Sequence, residues 1–300
     1  MPEPSTPYFD AWRDGVIDTM IGMPASREER ATKHYAQINA GILDREAREK
    51  FSFPAQYMFK DVPDYDDVDN PVALLIAEMD RFNITRGMIN VGTNPVAQQA
   101  LVDHPDRFVA SFSVDPNRGM ECVRELEVAV KELGVRSAQA FPAGFLPQVP
   151  INDKKMYPLY AKCVELDIPI FVNAGVPGPR VPMGCQDVAH IDEVCWFFPD
   201  LKFVMRHGAE PWTGLAVKLM LKWPNLYYST SGFAPKHLPA DIIHYANTRG
   251  ADKILYAGYF PMGLSLDRIF TELPGIEFRD HVWPKFLRKN AEHVLGLEQS

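Results

Sequence analysis

The most reactive-looking stretch of the chain is FPDLKFVMRHGAEPW (Phe198 to Trp212), where a proline breaks a helix, an apolar strand follows, and the strand ends in His207-Gly208. A strand ending this way carries an imidazole to the rim of a sheet, and a group titrating near neutrality can take or give a proton there. Glu210 and Trp212 follow in the same loop. Glu210 offers a carboxylate that can orient His207 or act as a second acid/base group, while Trp212 serves as loop packing or a substrate wall.

Other chemistry-bearing residues stand at the ends of separate apolar runs: Asn173 after IPIFV, Tyr259 in LYAGYFP, Gln139 in SAQAF, Ser229 in LYYSTS and Met20 in VIDTM. An amide can orient a carbonyl and a phenol can act as acid or oxyanion donor, so Asn173 and Tyr259 join His207 and Glu210 as candidate catalytic groups. Met20, Gln139, Ser229 and Trp212 are candidate substrate contacts. Arg180, in the loop GVPGPRVP, is the candidate carboxylate clamp, against the alternative of a solvated loop charge. His190 stands near the loop residues that can face the site. The remaining histidines (His34, His104, His237, His244, His281, His293) fall on expected helices or loops and read as structural or exposed. Strand alternation sets Arg206 opposite to His207, toward the helices, where a structural ion pair is expected.

Eight short apolar runs must position these groups: Val16 to Met20, Gly87 to Val91, Phe108 to Val114, Val135 to Ala140, Ile168 to Asn173, Lys202 to His207, Leu226 to Ser229 and Lys253 to Ala257. Segments of helical periodicity separate most of them, among them Pro71 to Phe82, Met120 to Leu133, Tyr157 to Leu166, His190 to Phe198 and Thr213 to Trp223. Eight βα units in 300 residues fit an α/β fold of the (β/α)8 TIM-barrel type, with a doubly wound open sheet as competitor. No linker-like composition divides residues 1–300, so one domain is expected. Residues 24–69 are too long for a βα loop and read as a lid or interface insertion, with the aromatics Phe51, Phe53, Tyr57, Phe59 and Tyr65. With Met20, Met23 and Met58 they predict an apolar pocket for a cyclic or aromatic molecule.

A formal net charge of −8 without a basic run argues against a nucleic-acid partner. Four cysteines without CxxC spacing and no apolar leader or membrane-length run predict a cytoplasmic protein with reduced thiols, away from the membrane.

Together with YPLYAKCVELDIPIFVNAG, WPNLYYSTSG, ADKILYAGYFP and FLRKNAEHVLGL, the His207 segment resembles the amidohydrolase-related family that includes aminocarboxymuconate-semialdehyde decarboxylase and resorcylate-type decarboxylases, from about Val16 to Leu297. The resemblance implies a metal site: the first strand ends in Asp-x-His-x-His, the fifth in His, the sixth in His-x-Gly and the eighth in Gly-Ser-Asp-Tyr-Pro. Here those positions carry Asp18, Met20 and Gly22, then Asn173, His207 and Tyr259. One imidazole with an amide and a phenol does not make a three- or four-ligand site. The expectation is a divergent member with no metal and no cofactor, a homo-oligomer as the resemblance implies. Hydrolysis of a small cyclic or aromatic carboxylic compound by acid/base catalysis leads; a lyase (decarboxylase or hydratase/dehydratase) on a similar substrate, or an inactive ligand- or partner-binding pseudoenzyme, are the alternatives.

Overall fold

The computed structural model describes residues 6–49, 55, 58–59, 65, 68–92 and 94–298; of the insertion aromatics, Phe51, Phe53 and Tyr57 lie outside the described residues. Eight strands run β1 (Val16–Asp18), β2 (Ile84–Asn90), β3 (Phe108–Ser113), β4 (Ser137–Ala140), β5 (Ile170–Asn173), β6 (Phe203–Arg206), β7 (Leu226–Ser229) and β8 (Ile254–Leu255). Each pairs in parallel with the next, in the order β1 through β8. Just beyond β1, Thr19 donates its backbone N–H and its hydroxyl to the Tyr256 carbonyl at 3.2 and 2.7 Å, bringing the last strand back to the first. The chain is a (β/α)8 TIM barrel with an insertion after the first strand, and the open-sheet alternative falls with its strand order.

Parity within the barrel is set by its interior. Ile17, Met88, Val109, Phe171, Val204, Tyr227 and Leu255 form one buried cluster, one side chain from each of seven strands, and Ala291, Val294 and Leu295 of the C-terminal helical segment join it. Side chains two residues further along each strand therefore face inward at the C-terminal rim. In β4, β5 and β6 these positions are Gln139, Asn173 and Arg206. Residues of the opposite parity, such as Met205 and Tyr228, pack against the surrounding helices in the larger apolar cluster.

The helices begin where local chemistry says they should. Asn70 and Asn94 each accept from the backbone N–H three residues on, at 2.9 and 3.2 Å, and each is followed by a proline at the first helical position. The five expected helices are present with ends displaced by a residue at most. The helices Pro95–Asp103 and Ala240–Thr248 are additional to them. Among the described residues no helix is long and apolar enough to cross a membrane.

Candidate active site

A cavity of ≈ 1650 Å³ opens at the C-terminal ends of the strands, lined at its floor by Met20, Gln139, Asn173, Arg206, His207 and Tyr259. The chain leaves β6 through three successive left-handed residues, His207, Gly208 and Ala209, with φ of 61, 91 and 54°. Non-glycine residues enter this region at a cost of about 1 kcal/mol each, and such strain collects at functional sites. Its effect here is that strand alternation stops at Arg206, so Arg206 and His207 both face the cavity. The expectation that Arg206 turns toward the helices is corrected: parity is counted from Val204 in the barrel interior, not backward from His207, which lies beyond the strand.

Arg206 is 5% exposed. It donates from Nη1 to Gln139 Oε1 at 3.0 Å and from Nη2 to Met20 Sδ, while Nε has no partner. Gln139 is held in turn by its own donation to Ser111 Oγ at 2.7 Å. Burial pulls the guanidinium down to about 10, offset by the phenols of Tyr259 and Tyr35, so it remains a cation at neutral pH. No carboxylate forms an ion pair with it among the described residues, so its charge is held at the cavity wall by the Gln139 and Met20 contacts alone among them.

His207 is drawn down to about 3, first by burial and then by the neighbouring Arg206 charge, with a small opposing effect from Ser231. It is neutral at pH 7. Its backbone N–H donates to Ser231 Oγ at 3.3 Å, and Nδ1 lies 3.3 Å from the Ser231 carbonyl and 3.2 Å from the Ser231 hydroxyl. We assign the proton to Nδ1, donating to that carbonyl, which leaves the Nε2 lone pair for the cavity. The ring stands edge-on to Tyr259, centroids 5.5 Å apart. Tyr259 also has a left-handed backbone (φ 66°), fixed by donation of its N–H to the Met20 carbonyl at 3.1 Å. Burial and Tyr35 push its phenol above the ordinary value and Arg206 pulls it back, so it stays protonated and can donate. Asn173, 8% exposed, presents to the same space an amide without a hydrogen-bond partner among the described residues.

Other expected site residues sit elsewhere. Glu210 is exposed at the cavity rim and makes no hydrogen bond to His207; its backbone carbonyl accepts from Val176 N–H at 2.8 Å. Arg180 lies outside the cavity lining, 3.7 Å from Asp44 of the insertion. His190 is tied to the Gly184 carbonyl at 3.1 Å, Trp212 packs on the helical layer, and Ser229 is fully buried below the cavity lining. Sequence reasoning gave Arg206 a structural ion pair and Ser231 a donor or turn role at the end of the seventh strand, and passed over two insertion residues, Arg30 and Tyr35, that also line the cavity.

The loops after β5 and β6 are locked together at Gly175, whose φ is 92° and where a Cβ would lie 2.6 Å from the Glu210 carbonyl oxygen and 2.8 Å from the Ala209 carbonyl carbon. Gly175→Ala is expected to cost about 3 kcal/mol through backbone strain and overlap. Thermal denaturation checks this: a variant melting with the parent would show that the two loops move apart freely.

Beneath the cavity, Asp18 is fully buried, accepting at Oδ1 from the N–H groups of Met20 and Gly258, both at 2.9 Å, while Oδ2 has no partner. Burial raises its carboxyl to about 7 against those two bonds. Between its ordinary value near 3.8 and about 7 the unfolded chain holds fewer protons, so Asp18 makes stability fall as pH rises. His207 does the reverse between about 3 and 6.5, where the unfolded chain holds more protons. The two slopes oppose each other over one window. Asp18→Asn is therefore expected to lose stability as pH drops from about 6.5 to 4, and His207→Gln to lose it as pH rises over that range. Urea denaturation at the two ends decides; parallel profiles in both variants would exclude the assignment.

The donor set does not fit a divalent cation. Among the described residues no three His, Cys, Asp or Glu side chains gather as a ligand set, and the Arg206 guanidinium bonds to Met20 and lies in register with Asn173, two of the positions where the resemblance implies metal ligands. A fixed cation there repels a second one.

The (β/α)8 barrel carries its cavity at the C-terminal strand ends, where barrels of this type build their sites, and His207-Gly208 follows the sixth strand there. The family described as Amidohydrolase matches residues 30–297, and the chain belongs to it. No curated protein matches the chain. Among solved structures, an uncharacterised TIM-barrel protein from Bordetella bronchiseptica is 24% identical with a TM-score of 0.70, over 94% of this chain and 98% of that one. A 5-carboxyvanillate decarboxylase from Novosphingobium aromaticivorans, complexed with manganese and 4-hydroxy-3-methoxy-5-nitrobenzoic acid, is 16% identical with a TM-score of 0.63, over 94% and 96%. A 4-oxalomesaconate hydratase from Rhodopseudomonas palustris is 18% identical with a TM-score of 0.61, over 94% and 95%. At these identities the likeness carries the fold.

Proposed function

We propose that the protein is a lyase acting on a small cyclic or aromatic carboxylic acid, without a metal, by acid/base chemistry at His207 and charge stabilisation at Arg206. The observation that carries this reading is the pairing, on adjacent residues lining one cavity, of a buried guanidinium without a carboxylate partner among the described residues and a neutral imidazole whose Nδ1 is engaged at Ser231. Decarboxylases and a hydratase among the similar structures favour a lyase over the hydrolase expected first.

For a hydroxylated aromatic acid, His207 Nε2 takes the hydroxyl proton and Arg206 holds the resulting oxyanion. The imidazolium returns that proton to the ring carbon bearing the carboxylate. The bond to the carboxylate then breaks, CO2 leaves, and the electron pair passes through the ring to the oxygen at Arg206, which regains a proton from water. Binding an anion also cancels the Arg206 charge that holds His207 down, so the base strengthens when substrate arrives. Asn173 and Tyr259 orient the carboxylate and the oxygen by hydrogen bonds.

Product analysis tests the reading. A panel of hydroxybenzoates and unsaturated cyclic acids, incubated with chelator-treated protein, is expected to release CO2 or exchange water across a carbon–carbon double bond. Hydrolytic cleavage of a lactone or ester in place of these would overturn the lyase assignment.

A further inference from the structure

The helix Met120–Leu133, which follows β3, buries Cys122, Val123, Leu126 and Ala129 against the barrel. On its outer side Met120, Arg124, Val128 and Glu132 recur at every fourth residue and make one exposed row, with Met120 52% and Val128 48% exposed. Of the charged side chains on this helix, Glu121 and Glu125 pair with Arg118, and Glu127 pairs with Lys131 and Lys162. Arg124 and Glu132 form no ion pair among the described residues. They are opposite in sign and stand at equal spacing on either side of Val128. About 12 Å of helix separates them, too far for an ion pair with each other.

The active-site cavity reaches this row. Its lining continues from the floor past Ser113 and Phe112 to Arg124, Val128 and Glu132, with Gln98 of the helix Pro95–Asp103 on the other side. Phe112 points outward from β3 into the helical layer yet is only half-buried, so the two helices leave a groove above it. Val96 and Val102 stand exposed on Pro95–Asp103.

A two-fold contact is made by one surface patch meeting itself, so that surface has to be its own complement. The row Arg124, Val128, Glu132 has this property in one orientation only. Crossed antiparallel by the same helix of a second copy, with Val128 at the axis, Arg124 comes opposite Glu132 of the partner subunit and the pairing occurs twice. A parallel crossing sets arginine on arginine and glutamate on glutamate. We infer that this helix face is a contact between two copies of the chain, antiparallel about Val128, with Met120 and the valines of Pro95–Asp103 as its apolar surround. A net charge of −8 repels a second copy in general, so pairing of opposite charges has to select the face that docks. The second copy also covers the groove over Phe112, and with it closes the side of the cavity that runs out to this helix.

Sedimentation of the full chain and its charge-reversal variants tests this independently of any turnover. The parent is expected to associate in pairs. Arg124→Glu puts carboxylates opposite one another twice and Glu132→Arg does the same with guanidinium groups, and each is expected to weaken the pairing at least about 30-fold. The double reversal Arg124→Glu with Glu132→Arg restores opposite signs at both contacts and is expected to return the dissociation constant to within about 3-fold of the parent. Mixing the two single variants is the most specific arm: each repels itself, yet across a mixed pair both contacts are attractive, so a dimer holding one of each forms on mixing. The substituted positions are exposed, so far-ultraviolet circular dichroism of every variant is expected to match the parent. A monomeric parent, single reversals that leave its sedimentation unchanged because it associates through another face, or single variants that stay apart when mixed would each overturn the inference.

Discussion

Replacing Arg206 by methionine is expected to lower kcat/KM on the order of 10³-fold, about 4 kcal/mol of transition-state stabilisation, while the melting temperature stays level or rises. The two halves of this expectation come from one fact. A guanidinium at the floor of the cavity with Nε unbonded and no carboxylate partner among the described residues destabilises the empty protein and, in the proposed reaction, stabilises the anion that forms. Methionine fills similar volume and removes both effects. Steady-state kinetics with thermal denaturation on the same preparation decide the matter. A loss under tenfold, or a variant that unfolds well below the parent, would mean that Arg206 holds the barrel together and does not serve the reaction.

Replacing His207 by glutamine is expected to reduce kcat by about 10³-fold and to leave the dissociation constant for benzoate within a few-fold. Glutamine offers an amide to Ser231 and keeps the cavity polar, so binding at Arg206 persists while the proton acceptor is gone. The pH profile separates this from a structural role. In the free protein His207 is the neutral base at all pH values above about 3, so kcat/KM should lack an acid limb near neutrality. In the complex the anion offsets Arg206, so the acid limb of kcat should appear at higher pH than that of kcat/KM, and His207→Gln should abolish it. An unshifted limb, or one surviving in the variant, would place the base elsewhere.

Eight strands could be read from sequence because each is a short apolar run closed by proline or glycine, and burial of one parity inside a barrel leaves that pattern. The helix Pro95–Asp103 carries the same Asn-Pro start as Pro71–Arg81, but its apolar face is short and alanine-rich, so periodicity alone did not mark it. His207 was legible because a strand ending in His-Gly is distinctive. Arg206 was misread for a physical reason: parity counted backward from a residue that has already left the strand is off by one. Arg30 sits in SREERATK among charges that look alike, and only the chain's return over the barrel separates a buried guanidinium from its solvated neighbours. Arg180 looked like the better clamp because its loop follows a strand end, yet it turns to Asp44.

Arg206 and His207 stand at the end of β6, whereas Arg30 and Tyr35 reach the cavity from the insertion, so the cavity is built from two separate parts of the chain. Residues 24–69 lie between β1 and the helix Pro71–Arg81 that leads to β2, and β1 and β2 pair directly in the sheet. A different segment grafted between those strands would present different side chains to the same residues at the end of β6. New substrate preferences could then arise by exchange of one loop, with no retuning of the imidazole or the guanidinium beneath it.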